Sequence, residues 1–163
     1  MFAIEDDSMK LLFVCTHNRC RSICAEAVAR HVLGAGFDVR SAGSQPAGVV
    51  YPGSVAALEQ HGINTANLQS QSWDEFEAFA PDYVITVCDS AANEACPLWM
   101  GEGKKVHWGL TDPSKLAEGE EQDAAFATLI QTLTKRLESV KGLAGEVSAD
   151  ETRAQLQALA DVY

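Results

Sequence analysis

Short, continuous apolar runs alternate along this chain with longer stretches in which apolar residues return every three or four positions. That alternation predicts parallel strands joined by helical crossovers, an α/β domain. Leu11 to Cys15 is apolar throughout and reads as a buried first strand. Ser22 to Leu33 carries Ala, Val, Ile and Leu with few turn formers, and Gly34-Ala35-Gly36 stops it, so it predicts the first helix. Phe37 to Ser41 follows as a second strand ending at Ala42-Gly43, and Pro52 to His61, with Gly62 after it, is a second helix by the Pro-in, Gly-out asymmetry.

Ser72 to Phe79 predicts a short amphipathic helix, and Asp82 to Cys88 the clearest strand of the chain. Lys105 to Trp108 is a short fourth strand. Glu120 to Val140 places Phe126, Leu129, Ile130, Leu133 and Leu137 on one face of a long helix. From Gly142 to Tyr163 a further amphipathic segment carries Leu156, Leu159 and Val162, which suits either covering the fold or meeting a partner. No repeat or linker splits the chain, so residues 1–163 are expected to form one domain, with a core over about 10–140 and a helical extension over 142–163.

Composition narrows the function classes. With 47% hydrophobic and 21% charged residues the chain has a globular balance, and its net charge of −11 argues against a nucleic-acid or acidic-membrane surface. An anionic substrate would need a local positive pocket. No apolar stretch approaches the roughly 20 residues that span a bilayer, and Met1 to Asp7 is acidic, unlike a basic export leader. A cytoplasmic monomer is expected. Five cysteines, Cys15, Cys20, Cys24, Cys88 and Cys96, form no paired Cys-x-x-Cys elements, so they read as thiols more readily than as staples or zinc ligands, and no cofactor is called for.

One stretch carries chemistry: Val14-Cys15-Thr16-His17-Asn18-Arg19-Cys20-Arg21-Ser22, a cysteine and an arginine five residues apart between a strand and a helix. A loop closing onto a helix N-terminus turns backbone N–H groups inward, and with the helix dipole they cradle an anion. Thr16, His17, Asn18, Arg19, Cys20, Arg21 and Ser22 are the candidate oxyanion binders, with Arg21 offering a planar fork for two oxygens. The same positive field favours Cys15 as a nucleophilic thiolate, steadied by the Ser22 hydroxyl. The plainer alternative is a buried strand-end thiol beside a surface arginine.

Cys-Thr-His-Asn-Arg-Cys-Arg-Ser-Ile-Cys-Ala-Glu resembles the active-site loop of the low-molecular-weight protein tyrosine phosphatase superfamily, and within it the chain is most similar to thioredoxin-coupled arsenate reductases. The similarity runs on through Ser41-Ala42-Gly43, Val84 to Asp89, Cys96-Pro97, His107-Trp108 and Asp112-Pro113. The resemblance implies a three-layer α/β/α fold with a four-stranded parallel sheet of order 2-1-3-4. In that order the winding reverses between strands 1 and 3, so Cys15, Cys88 and Asp112 should meet beyond the carboxyl ends of their strands.

It also implies roles. Cys15 would attack arsenate, with phosphate and sulfate as competing anions. Asp112 would act as general acid, and Cys88 and Cys96 would carry a disulfide relay that ends on thioredoxin or a glutaredoxin-type reductant. Between those two cysteines lie seven residues, where some members have six. If Asp89 to Ala95 is helical, eight steps hold the two cysteines about 12 Å apart, against the 4.4–6.8 Å a disulfide needs, so oxidation should unwind it. Some members bind potassium beside the loop; the matching positions here are Asn18, Glu26, Ser41 and Gln71, where Gln71 replaces a carboxylate, so any potassium effect should be weak and no metal is expected. Cys20 and Cys24 read mainly as packing, with Cys20 able to protect Cys15 by pairing with it. Two other functions share these features: a tyrosine phosphatase, disfavoured by Ser114 and Lys115 where an aromatic usually holds the phenol ring, and a non-catalytic oxyanion sensor or dithiol carrier.

Overall fold

The computed structural model describes residues 9–34, 36–88, 105–143 and 149–162. Strands β1 (Met9–Val14), β2 (Phe37–Ala42), β3 (Tyr83–Thr86) and β4 (Lys105–His107) form one parallel sheet in the order β2-β1-β3-β4, the order the resemblance implied. Leu11 and Phe13 point to one face of β1 and Leu12 and Val14 to the other, yet all four are buried, so both faces of the sheet are covered. This is why β1 shows no polar alternation. Each such fully buried Leu or Phe contributes roughly 1.5–3 kcal/mol relative to leaving it exposed.

Helix α1 spans Arg21–Leu33, and Ser22 through Ala29 are all buried along it. It packs on α3 (Glu120–Leu143), and the small Ala25, Ala27 and Ala29 let its neighbours approach closely. It ends at Gly34, whose φ of 64° is open to glycine and strained for a branched residue. Helix α2 (Pro52–Gln60) starts on a proline, as expected.

The segment from Ser72 departs from expectation. A full helix to Phe79 was predicted, and a single 3-10 turn, Trp73–Phe76, is found, opened by a capping box between Ser72 and Glu75. Glu77 is still in the right-handed helical region, and the chain leaves it by Ala80, whose φ is 51° directly before Pro81.

The extension after α3 contains α4 (Ala149–Val162), which packs against β4 and α3. Its Gln157 side chain lies along the outer edge of β4, accepting from the His107 amide at 2.9 Å and donating to the His107 carbonyl at 2.8 Å. The amide thus takes the place of a fifth strand at an edge that would otherwise invite pairing with another chain. Trp108, fully buried and packed on Phe13 with ring centroids 6.1 Å apart, donates its indole N–H to the Leu156 carbonyl at 2.8 Å. Of the two roles open to the extension, covering the fold is the one observed. Among the described residues no helix is long and apolar enough to cross a membrane.

Candidate active site

Cys15 stands immediately beyond β1, at the sheet edge where the connections from β1 and β3 leave in opposite directions. The loop from Cys15 to Cys20 is shaped from outside by its carbonyls. Thr16 O accepts from Gln45 N (2.8 Å), His17 O from Ala47 N (2.9 Å) and Arg19 O from Tyr51 N (3.0 Å). Among the described residues none of the amides of Thr16 to Cys20 donates to another backbone carbonyl. Carbonyls tied outward and amides left over are the arrangement of an anion cradle. The first turn of α1 continues it, having neither a side-chain cap nor an acidic residue to compete for its N–H groups.

Asn18 makes the loop turn. It is buried with a φ of 47°, a conformation that Asn tolerates better than most residues, and its amide donates to Ser22 Oγ (2.7 Å) and Ser41 Oγ (3.1 Å) while its oxygen accepts from Gln71 N (2.8 Å). Ser41 in turn donates to Glu26 Oε1 at 2.5 Å, and Arg30 forms an ion pair with the other Glu26 oxygen. Glu26 is only 1% exposed, and burial raises its pKa although Ser41, Arg30 and Arg40 work the other way. These four positions do not fit a potassium ion: both Glu26 oxygens are engaged, and Gln71 turns its side-chain amide to the Ser41 carbonyl at 3.4 Å. Asn18 and Ser41 brace the loop.

Gly43 closes the cradle from behind, a role that did not emerge from the sequence. A Cβ there would lie 2.5 Å from Thr16 O and 2.7 Å from Cys15 O, so only glycine lets the end of β2 pass this close to the loop. The available signal was a glycine directly after a strand, in the Ser41-Ala42-Gly43 run.

Cys15 is 4% exposed, and its sulfur lies 2.9 Å from Ser22 Oγ, the predicted partner. Its proton is held differently from expectation. A hydrogen bond with the Cys88 side chain and burial push the Cys15 thiol well above its ordinary value, against the Ser22 hydroxyl and amide, which lower it. The expected thiolate is therefore not the form this arrangement favours. Cys88 and burial set this direction; the Arg21 guanidinium is meanwhile directed at the Leu110 carbonyl (3.1 Å) and at Asp112 Oδ2 (3.4 Å). Asp112 gains what Cys15 lacks: burial works to raise its pKa, but the Ser114 hydroxyl, the Arg21 charge, the Ser114 amide and Cys20 together hold it below its ordinary value. Burial and Cys88 thus act to keep the proton on the Cys15 sulfur, while Ser114 and Arg21 act to keep the Asp112 carboxylate charged.

The structure thus brings Cys15, Arg21, Ser22, Cys88 and Asp112 together at one edge. Cys88, buried just after β3, has its sulfur 3.8 Å from Thr16 Oγ1. Other predicted residues turn away. His17 is exposed with Nδ1 3.1 Å from Gln45 O, and the Arg19 side chain stacks over the Tyr51 ring at 4.6 Å and donates to Ser114 Oγ at 2.7 Å. Cys20 is buried, and its thiol is lowered from its ordinary value first by a hydrogen bond from Cys24. Cys96 and the Asp89 to Ala95 helix expected before it lie outside the described residues.

Comparison with known proteins agrees with this geometry. The family model for low molecular weight phosphotyrosine protein phosphatases matches residues 10–153. The chain is 37% identical over 131 residues to an arsenate reductase of Halalkalibacterium halodurans, spanning 79% of this chain and 92% of that one. Its fold superposes on a solved arsenate reductase in the phosphate binding state with a TM-score of 0.70 and 30% identity, over 84% of this chain and 99% of the other. A thioredoxin-dependent arsenate reductase of Corynebacterium glutamicum gives a TM-score of 0.62 at 28% identity, over 82% of this chain and 60% of that longer one. A loop of this construction at the switch point of a 2-1-3-4 sheet, together with a family match over nearly its whole length, places this chain in the low molecular weight phosphotyrosine protein phosphatase family.

Proposed function

We propose that this protein reduces arsenate to arsenite through a Cys15, Cys88 and Cys96 relay regenerated by a thioredoxin-type dithiol. The observation that carries the reading is a second buried thiol, Cys88, which leaves the neighbouring strand end beside the Cys15 loop, its sulfur 3.8 Å from Thr16 Oγ1. Hydrolysis of a phosphate ester needs water at that place; transfer of two electrons needs a thiol. Relatives 37% identical to this chain bear the name arsenate reductase, which supports the same choice.

An arriving tetrahedral oxyanion draws the Arg21 fork from Leu110 and Asp112 onto two of its oxygens. Asp112 loses its cation and gains an anionic neighbour, and both changes favour its protonated form. The Cys15 proton passes through the bound anion to Asp112, so the thiolate forms in the cradle as the acid is loaded. Cys15 attacks arsenic, an As–O bond breaks, and the Asp112 proton leaves with that oxygen as water. Cys88, as thiolate, then attacks the Cys15 sulfur. The S–As bond breaks with its electron pair staying on arsenic, which departs as trivalent arsenite, and a Cys15–Cys88 disulfide remains. Cys96 displaces Cys15 from Cys88, and the external dithiol returns two electrons to the Cys88–Cys96 disulfide.

The test is arsenate-dependent NADPH oxidation with thioredoxin and thioredoxin reductase. Cys15→Ser and Cys88→Ser abolish it, whereas Cys96→Ser releases one arsenite per chain and stops with a Cys15–Cys88 disulfide visible by mass spectrometry. A wild-type protein that hydrolyses aryl phosphates but leaves arsenate untouched would assign the site to phosphatase chemistry instead.

A further inference from the structure

Arg19 is the cation of the loop that the proposed reaction leaves unused. Its carbonyl is tied to Tyr51 N, its guanidinium carbon sits over the Tyr51 ring 4.6 Å from the centroid, and Nη1 donates to Ser114 Oγ at 2.7 Å. Ser114 faces Asp112 with two groups: its amide (3.0 Å) and its hydroxyl (2.7 Å) both reach Asp112 Oδ1. The other oxygen, Oδ2, faces Arg21.

A hydroxyl has one hydrogen to give, and a guanidinium is a donor only. With Arg19 donating to Ser114 Oγ, that oxygen is an acceptor on one side, and its single hydrogen is directed to Asp112. The direction of this hydrogen fixes which way the carboxylate turns. Tyr51 completes the clip from a third element: its hydroxyl accepts from Gln122 Nε2 (2.7 Å), which also donates to Leu116 O (3.0 Å) and Pro113 O (3.3 Å), the backbone on either side of Ser114.

We propose that Arg19 is a positioning residue for Asp112: anchored on Tyr51, it orients the Ser114 hydroxyl so that the carboxylate is turned toward Arg21 and the anion that Arg21 would hold. Arg19 touches neither substrate nor the reacting sulfur. This role rests on the oxyanion chemistry proposed above and adds to it a relay that makes Arg19 and Ser114 act as one unit. The charged or titratable groups that face Asp112 directly include Arg21 and Cys20, with Arg19 one hydroxyl further off, and Arg21 and Cys20 remain in place when Arg19 is changed.

The experiment is a carbon-13 carboxyl titration of the full-length chain, with Asp112 assigned through Asp112→Asn, in wild type, Arg19→Leu, Arg19→Lys, Ser114→Ala and the Arg19→Leu/Ser114→Ala pair. The Asp112 midpoint moves up in Arg19→Leu and in Ser114→Ala, the pair moves it no further than Ser114→Ala alone, and Arg19→Lys, which keeps a cationic donor, restores part of the shift. In Arg19→Leu, kcat falls about tenfold from misplacement of the acid, with KM within about twofold of wild type. An unmoved midpoint in both single variants overturns the relay, and so does a shift in the pair equal to the sum of the singles, since a direct charge effect of Arg19 would add. The titration needs no turnover, so a wild type inactive on arsenate would remove the arsenate reading and leave the role of Arg19 to be decided by the midpoints.

Discussion

The Cys15 loop is held between two walls built on different physics. Behind it, Asn18, Ser22, Ser41 and Glu26 are 0–1% exposed and bonded in a chain from Ser22 through Asn18 and Ser41 to Glu26. In front of it, Arg19, Arg21, Asp112 and Ser114 are partly exposed and joined by contacts with which water competes. A buried polar group that loses its partner keeps its full desolvation penalty, about 1–3 kcal/mol, so the rear wall has one arrangement. The front wall exchanges partners cheaply. That division suits a site whose cradle must be fixed while Arg21 and Asp112 re-pair around an incoming anion.

The largest test of the division is Gly43→Ala, which attacks the rear wall. The new Cβ would meet two backbone carbonyl oxygens at 2.5 and 2.7 Å, and neither can swing aside as a side-chain end would. A loss of about 3 kcal/mol in urea unfolding is expected, together with loss of phosphate binding in calorimetry. Wild-type behaviour in both measurements would mean that the rear wall yields as easily as the front.

The next test uses pH, because the two walls carry carboxyls shifted in opposite directions. Glu26 is raised above its ordinary 4.5, mainly by burial, so its contribution to stability is fully present below 4.5 and is lost as pH rises through its folded value. Asp112 is lowered from its ordinary 3.8, so its contribution is present above 3.8 and is lost as pH falls through its folded value. Urea midpoints measured against pH should therefore show Glu26→Gln removing a decline on the alkaline side of 4.5, and Asp112→Asn removing one on the acid side of 3.8. The same pH slope in both variants would erase the distinction.

The rear wall was the more legible of the two in sequence. Cys15, Asn18 and Ser22 lie in the motif, where short spacing along a strand end, a loop and a helix start fixes their relative places, and Ser41 comes beside them through the pairing of β2 with β1. The fold was legible for a similar reason: apolar runs and crossover helices of ordinary length leave few alternatives once the 2-1-3-4 order is taken from the resemblance. The front wall was not legible. Its pairs join Arg19 to Ser114 and Gln122 to Tyr51 across long stretches of chain, and local pattern carries no information on which exposed groups meet. The upward pull on the Cys15 thiol escaped prediction for the same reason, since it depends on Cys88 arriving from β3 and on burial of the loop. The 3-10 turn at Trp73 is the local exception.

The smallest effect is expected from Tyr51→Leu, which strips the front wall of its anchor and leaves every rear contact intact. The ring gives Arg19 a face to stack on, and its hydroxyl gives Gln122 one of three acceptors, so the carbonyls of Pro113 and Leu116 still hold the amide after the change. A cation over an aromatic ring at a partly exposed site is worth about 0.5–1 kcal/mol, and leucine returns some of the lost packing, so global stability should fall by less than about 1 kcal/mol. Phosphate affinity should stay within about twofold, because backbone amides and Arg21 make the cradle. What should change is order: without its platform the Arg19 guanidinium samples several rotamers, and the Ser114 hydroxyl loses its fixed donor for part of the time. Side-chain NMR relaxation of Arg19 would register that motion. An unfolding loss as large as that of Gly43→Ala would show that the front wall is as much a part of the core as the rear, and that the loop is clamped equally on both sides.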